Sequence, residues 1–139
     1  MKTASNPPCP CGGLPAGTPY QRCCGLFIEG DQVPATAERL MRSRYTAYTL
    51  GLARYLQATW HPGTRPIDLE VDPPDTPHGV RWLGLRIHGH RELDADHAEV
   101  KFTARYRQAG KAFRLTELSR FLREDGRWLY VDGDVDERD

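Results

Sequence analysis

Long apolar stretches are missing from this sequence. No run approaches the ~20 residues that a membrane-spanning helix requires, and the opening MKTASNPPCP contains no hydrophobic leader. The expected compartment is therefore the cytoplasm, where thiols stay reduced, and no membrane is expected among the partners. Net charge is missing as well: 19 Lys and Arg balance 19 Asp and Glu. That makes nucleic acid an unlikely partner overall. There is no glycine-rich phosphate loop, no nucleophile elbow and no HExxH, so no common catalytic signature names a reaction. Cysteine is absent after residue 24. A chain of 139 residues can bury a genuine core and does not need disulfides to fold.

What is present is concentrated. All four cysteines fall in CPCGGLPAGTPYQRCCG, Cys9 to Gly25. Disulfides suit a reducing compartment poorly, and a bond between adjacent Cys23 and Cys24 would be strained. A redox pair is a second option, although Cys-x-Cys is not the usual redox spacing. Metal binding is the third. Zinc favours a tetrahedron of thiolates, and a structural site uses four protein ligands and no water. Two close pairs joined by a turn-rich loop supply that set: Cys9, Cys11, Cys23 and Cys24. Pro10 stiffens the first pair, and Gly12 and Gly13 let the backbone curl. Zn2+ would also order a segment with little core of its own.

The segment resembles the SEC-C motif, a small zinc-binding module, in Cys9-Pro10-Cys11-Gly12, then Tyr20, then Cys23-Cys24-Gly25. The resemblance implies the same four ligands. The usual insert between the pairs is shorter and basic, whereas here it is GGLPAGTPYQR. The basic, partner-contacting character of the motif is therefore not carried over.

After a linker at 31–36, ATAERLMRSRYTAYTLG is expected to be a helix, with Thr36 as N-cap, Glu38 in the first turn and Gly51 at the end. Leu40, Met41, Tyr45, Tyr48 and Leu52 share one face, and Arg39, Arg42 and Thr46 fall largely elsewhere. LARYLQATW predicts a second helix, stopped by His61-Pro62-Gly63. Residues 62–79 read as loop, with one short helical or extended piece near 67–71. Four strand-like runs follow, VRWLGLRIHGHREL, HAEVKFTARYRQ, AFRLTELSRFLRE and RWLYVDG, separated by short turn signals. The fold class is therefore α+β, with helices packed on a curved antiparallel sheet that forms a cone with an open mouth. The expected division is 1–33, zinc module and linker, and 34–139, cone domain.

LMRSRYTAY (40–48), TWHP (59–62), WLGL (82–85), FTARY (102–106) and ELSRFLREDGRWLYVDG (117–133) are similar to the bacterial YchJ-like family. That resemblance implies a SEC-C module joined to a nuclear-transport-factor-2-like, or cystatin-like, domain. It implies no established activity.

Charge is unevenly spread. Residues 36–66 hold five arginines against one acid, and residues 123–139 hold seven acids against three arginines. Either the two regions neutralise each other on folding or the first lines a basic cleft. The candidate catalytic residues are Glu117, His61, Arg42 and Arg44. Glu117 and Ser119 share a strand face. Inside a cone Glu117 can act as a general base, unless Arg42 or Arg44 neutralises it in a structural ion pair. His61 is a proton shuttle or a cap on the last helical carbonyls. His88 and His90 share a strand face and can hold a metal or stand as an exposed polar surface. Arg42, Arg44, Arg105, Arg107 and Arg120 can line a pocket for a small anionic ligand, with Tyr45, Tyr48, Trp60 and Trp82 as walls. Otherwise the aromatics are core and the arginines rim.

Three functions are compatible with this. The first is a cytosolic zinc-binding protein whose structural site docks on a protein partner or on its own larger domain. The second is a small-molecule binder or enzyme that uses the cone cavity. The third is a weak nucleic-acid or ribosome-associated binder that uses the basic helix.

Overall fold

The alternation of apolar and polar residues after residue 80 becomes one antiparallel sheet. A computed structural model describes residues 7–138. In it β1 (Arg81–Glu92), β2 (His97–Gln108), β3 (Lys111–Glu124) and β4 (Arg127–Arg138) lie side by side in chain order. In β2, Ala98, Val100, Phe102, Ala104 and Tyr106 are buried while their neighbours face outward, the period of a sheet with one covered face. Two-residue turns close the last two hairpins. Ala109 and Gly110 have φ of 52° and 81°, and Asp125 and Gly126 have 52° and 77°. Positive φ at both central residues is the turn whose twist matches the flanking strands.

Strand β4 continues past the expected RWLYVDG to Arg138. Its acidic end stays extended because its backbone pairs with β3 as far as Arg114 opposite Arg138; along it Asp132 and Asp134 meet Arg120 at 2.6 and 3.1 Å, and Asp136 meets Arg138 at 3.2 Å. The acid-rich end is thus neutralised mainly within its own sheet. Among the described residues, its acidic side chains meet residues 36–66 through Glu124, 3.1 Å from His61 Nε2.

Strand β1 carries two register slips, between Trp82 and Gly84 and between Ile87 and Gly89. Each inserts a residue and reverses which face the following side chains take. Ile87 lies beside buried Phe102, and after the second slip His90 lies beside buried Val100. His88 is left on the outside, 2.7 Å from the Thr103 hydroxyl. The expectation that His88 and His90 share a face is therefore corrected, and with it their pairing as metal ligands.

Three helices precede the sheet: α1 (Gly25–Ile28), α2 (Ala37–Leu50) and α3 (Ala53–Ala58). Thr36 caps α2 as expected, its hydroxyl accepting from the Arg39 N–H at 3.1 Å. Gly51 ends it in the left-handed region at φ 71°. Gly51 N–H donates to Tyr48 O and Leu52 N–H to Ala47 O, at 3.3 and 2.9 Å, which satisfies two carbonyls of the last turn. Helix α3 stops before Trp60, earlier than its sequence suggested. Trp60 instead pairs in parallel with Tyr130 of β4, through Tyr130 N–H to Thr59 O at 2.9 Å and His61 N–H to Tyr130 O at 2.7 Å. Residues 61–80 form no regular element, the stretch 67–71 included.

Helix α2 lies on the concave face of the sheet. Leu40, Met41 and Tyr45 are buried there, with Tyr45 edge-on to Trp82 at 5.7 Å. Ser43, Thr46 and Ala47 are fully buried too. A helix with only one covered face would leave some of these in water. The further cover is α3, where Tyr55 Oη meets Ser43 Oγ at 2.7 Å, and the cysteine loop, whose four sulfurs belong to the same buried cluster as Leu40 and Met41.

Candidate functional site

The cysteine loop is built from turns. Cys9 N–H donates to Thr18 O at 2.9 Å and Gly12 N–H to Cys9 O at 2.8 Å, which folds the loop back on itself. Gly13 has φ 87°, and a Cβ there would collide with the backbone of Thr18; only glycine meets both conditions. A 3-10 turn, Tyr20–Arg22, then brings Cys23 and Cys24 to the start of α1.

As a result the four Sγ atoms lie within 4.8 Å of one another, all buried. Cys11 and Cys23 are 3.6 Å apart. A zinc–thiolate tetrahedron with ~2.3 Å bonds has edges of about 3.8 Å, so the set fits one ion with no side open to water. Sulfurs packed this closely share their protons. Cys9 is held well below the usual thiol range by hydrogen bonds from Cys11 and then Cys24. Cys24 is pushed up by its hydrogen bonds with Cys11 and Cys9 and by burial. Cys11 is drawn down by Cys24, but Cys9 and burial outweigh that and push it up to about 12. The four sulfurs can hold a metal ion, and a cation among them would favour the ionised form of all four.

Helix α2 supplies the polar groups around the sulfurs. The Thr46 hydroxyl donates to Cys24 Sγ at 3.2 Å and lies 3.6 Å from Cys9 Sγ. The backbone N–H of Gly13 donates to Cys11 Sγ at 3.3 Å. Arg42 Nη1 donates to the Cys11 carbonyl at 3.0 Å and reaches Cys11 Sγ at 3.8 Å, while its Nε pairs with Glu38 at 3.0 Å. Burial lowers the Arg42 pKa, but Glu38 and Cys11 outweigh it and the net shift is upward. The sequence pattern sets Thr46 largely off the apolar face of α2. The available signal was its position one turn after Arg42, on the stripe that turns out to face the loop.

The concave side of the sheet encloses a second polar group, around a cavity of about 70 Å³. Glu117 and Ser119 of β3 share that face as expected, and Ser119 Oγ donates to Glu117 Oε2 at 2.7 Å. Tyr130 Oη donates to the same oxygen at 2.7 Å. Gly133, on neighbouring β4, leaves space for this carboxylate, because a Cβ there would overlap it. Arg44 reaches the cavity from α2. Its Nη1 donates to Leu56 O at 2.8 Å and to Thr59 Oγ1 at 2.6 Å, and its guanidinium stacks 4.6 Å from the Tyr130 ring and 5.0 Å from Trp60. Burial lowers the Arg44 pKa. Burial also raises that of Tyr130, with Glu117 adding to the shift.

Several expectations change here. Among the described residues Glu117 makes no ion pair, so the Glu117–Arg42 and Glu117–Arg44 bridges are both corrected. Arg42 and Arg44 are two residues apart, about 200° around a helix, and so point to opposite sites. His61 does not line the cavity: its Nε2 faces Glu124 at 3.1 Å and its Nδ1 accepts from Gly63 N–H at 3.0 Å. It neither caps α3 carbonyls nor reaches Glu117. Arg120 is engaged with Asp132 and Asp134 on the outer face. Arg105 lies with Arg86 and Arg114 along an outer groove of about 620 Å³, and Arg107 is exposed. Of the arginines expected in the cone, Arg44 alone lines the cavity. Arg42 is thus committed to the loop and Arg44 is buried. Tyr48 and Trp60 are cavity walls, whereas Tyr45 and Trp82 belong to the core.

Residues 36–133 match the family described as YchJ, middle NTF2-like domain. A UPF0225 protein of Ralstonia nicotianae is 56% identical over 135 residues, 91% of this chain and 90% of that protein. A UPF0225 protein of Cupriavidus metallidurans is 52% identical, over 94% of this chain and 90% of that one. The solution structure of a SEC-C motif containing protein from Rhodopseudomonas palustris superposes with a TM-score of 0.79 at 32% identity, covering 91% of this chain and 97% of that chain. The crystal structure of a SEC-C motif containing protein from Psychrobacter arcticus gives 0.71 at 27% identity, covering 90% and 80%.

Proposed function

The chain belongs to the YchJ-like UPF0225 family, and from that premise we propose that Cys9, Cys11, Cys23 and Cys24 bind one zinc ion that pins the N-terminal loop to helix α2. The site is structural. Four thiolates close the tetrahedron and leave no position for a catalytic water. The observation that carries the reading is the gathering of four buried sulfurs within 4.8 Å of one another. Its support comes from α2: Thr46 spends its hydroxyl on two of the sulfurs and Arg42 brings a positive charge to a third. Zn2+ with four thiolates has a net charge of about −2, of which the Arg42 guanidinium, shared with Glu38, offsets a part. Docking is then intramolecular: the loop is held by its own chain, with no second protein required. A reducing cytoplasm suits such a site, because thiolates are its ligands. No described helix is long and apolar enough to cross a membrane.

Metal analysis of the reduced, purified protein tests the assignment. One equivalent of zinc per chain is expected, lost in C11S and C24S variants. Stoichiometric iron would replace zinc by another tetrahedral thiolate metal, and no stoichiometric metal would end the proposal.

A further inference from the structure

Arg44 and Glu117 are opposite charges, only 3% and 9% exposed, on the wall of one cavity, and yet they form no pair. Buried charges are ordinarily kept only when compensated. Each of these is held back by other bonds. The hydrogen bonds of Arg44 leave from Nη1 alone, so Nε and Nη2 have no partner among the described residues. Glu117 accepts through Oε2 alone, so Oε1 is likewise unengaged. Trp60, on the same wall, has its indole N–H buried without a partner. The cavity wall thus carries a guanidinium with two unengaged nitrogens and a carboxylate with one unengaged oxygen.

The geometry points to a binding site for a small neutral molecule that carries a hydrogen-bond acceptor beside a donor, as the edge of a cyclic amide or cyclic urea does, bridging Arg44 and Glu117. Charge selects the class. An anion would face the Glu117 carboxylate and a cation would face Arg44, whereas a neutral donor–acceptor edge satisfies both. Shape agrees, since Tyr48, Trp60, Phe102 and Tyr130 wall the space with rings and favour a flat, partly apolar ligand. Size sets the limit. The space of about 70 Å³ takes about two waters at ~30 Å³ each, or the amide edge of a small ring whose remaining atoms stay at the open mouth. This site is independent of the metal centre, which lies on the other side of α2.

The test is a titration of the full chain, 15N-labelled and as purified, with 2-pyrrolidone. The readouts are the indole N–H of Trp60, against those of Trp82 and Trp128, and the Nε–H of Arg44. A saturable shift of Trp60 and Arg44 is expected, with Trp128 unmoved. Acetate and methylammonium are expected to bind at least about tenfold more weakly. Cyclopentanone keeps the acceptor and lacks the donor, so its affinity should fall by about fivefold or more. E117Q should weaken 2-pyrrolidone by a similar factor. The proposal is overturned if 2-pyrrolidone gives no saturable shift, which would leave water as the only occupant. Equal binding of acetate or of cyclopentanone overturns it as well. These ligand comparisons decide the matter on the unaltered protein, whether or not E117Q folds.

Discussion

Replacing Thr46 by Val isolates what α2 contributes to the metal. The two side chains have nearly the same shape, so the helix and its packing against the loop are retained, and only the hydroxyl is lost. That hydroxyl donates to Cys24 Sγ at 3.2 Å and lies 3.6 Å from Cys9 Sγ, in a fully buried position. A hydrogen bond to a neutral thiol contributes about 0.5–1.5 kcal/mol, and one to a charged group about 1.5–3. The metal-bound form therefore loses about 1–2 kcal/mol more than the metal-free form. That difference is a roughly five- to thirtyfold rise in the zinc dissociation constant, at the lower end of what groups that support metal ligands contribute. Competition against a chromophoric chelator, at fixed pH and with reductant present, measures it. Thr49→Val is the control, because the Thr49 hydroxyl donates to the Thr46 carbonyl at 2.7 Å within the helix and touches no sulfur. If T46V holds zinc as tightly as the unaltered protein, or if T49V loses as much, the reasoning fails.

Chelation under reducing conditions should strip hydrogen-exchange protection from residues 9–25 and reduce it around Ser43–Ala47, while the central β2 and β3 amides keep theirs; uniform loss across the sheet would contradict this. Thr36→Ala removes the cap on α2 and should cost about 1 kcal/mol in denaturant unfolding, with the metal content unchanged. Gly126→Ala meets nothing within 4 Å but must adopt φ 77°. It should cost roughly 1–2 kcal/mol through the backbone alone, seen as a lower midpoint at constant m-value.

Features governed by local chemistry were legible in the sequence. Thr36 and Gly51 bound α2 because capping needs only the residue at the terminus and its neighbours. Ala109-Gly110 and Asp125-Gly126 turn the chain because such positions demand positive φ. The cysteine cluster was legible because four thiols in one short loop have few chemical uses. What could not be read depends on partners distant in sequence. The bulge at His88 has Gly89 beside it as its one local signal, yet it reverses the strand face and separates His88 from His90. Thr46 looks like a surface residue until the loop covers it. Arg44 and Arg42 look alike in sequence, and only the helix rotation sends one to the cavity and the other to the sulfurs. The acidic end of β4 reads as a tail, because its partner Arg120 lies on another strand.

The missing side chain at position 133 carries a further consequence. The volume that a methyl group would fill there is already occupied by the carboxylate of Glu117. Two positions on adjacent strands therefore compete for a single space, and a side chain at 133 would push the Glu117 carboxylate away from Ser119 and Tyr130. The absent methyl group thus sets where the negative charge of the interior stands.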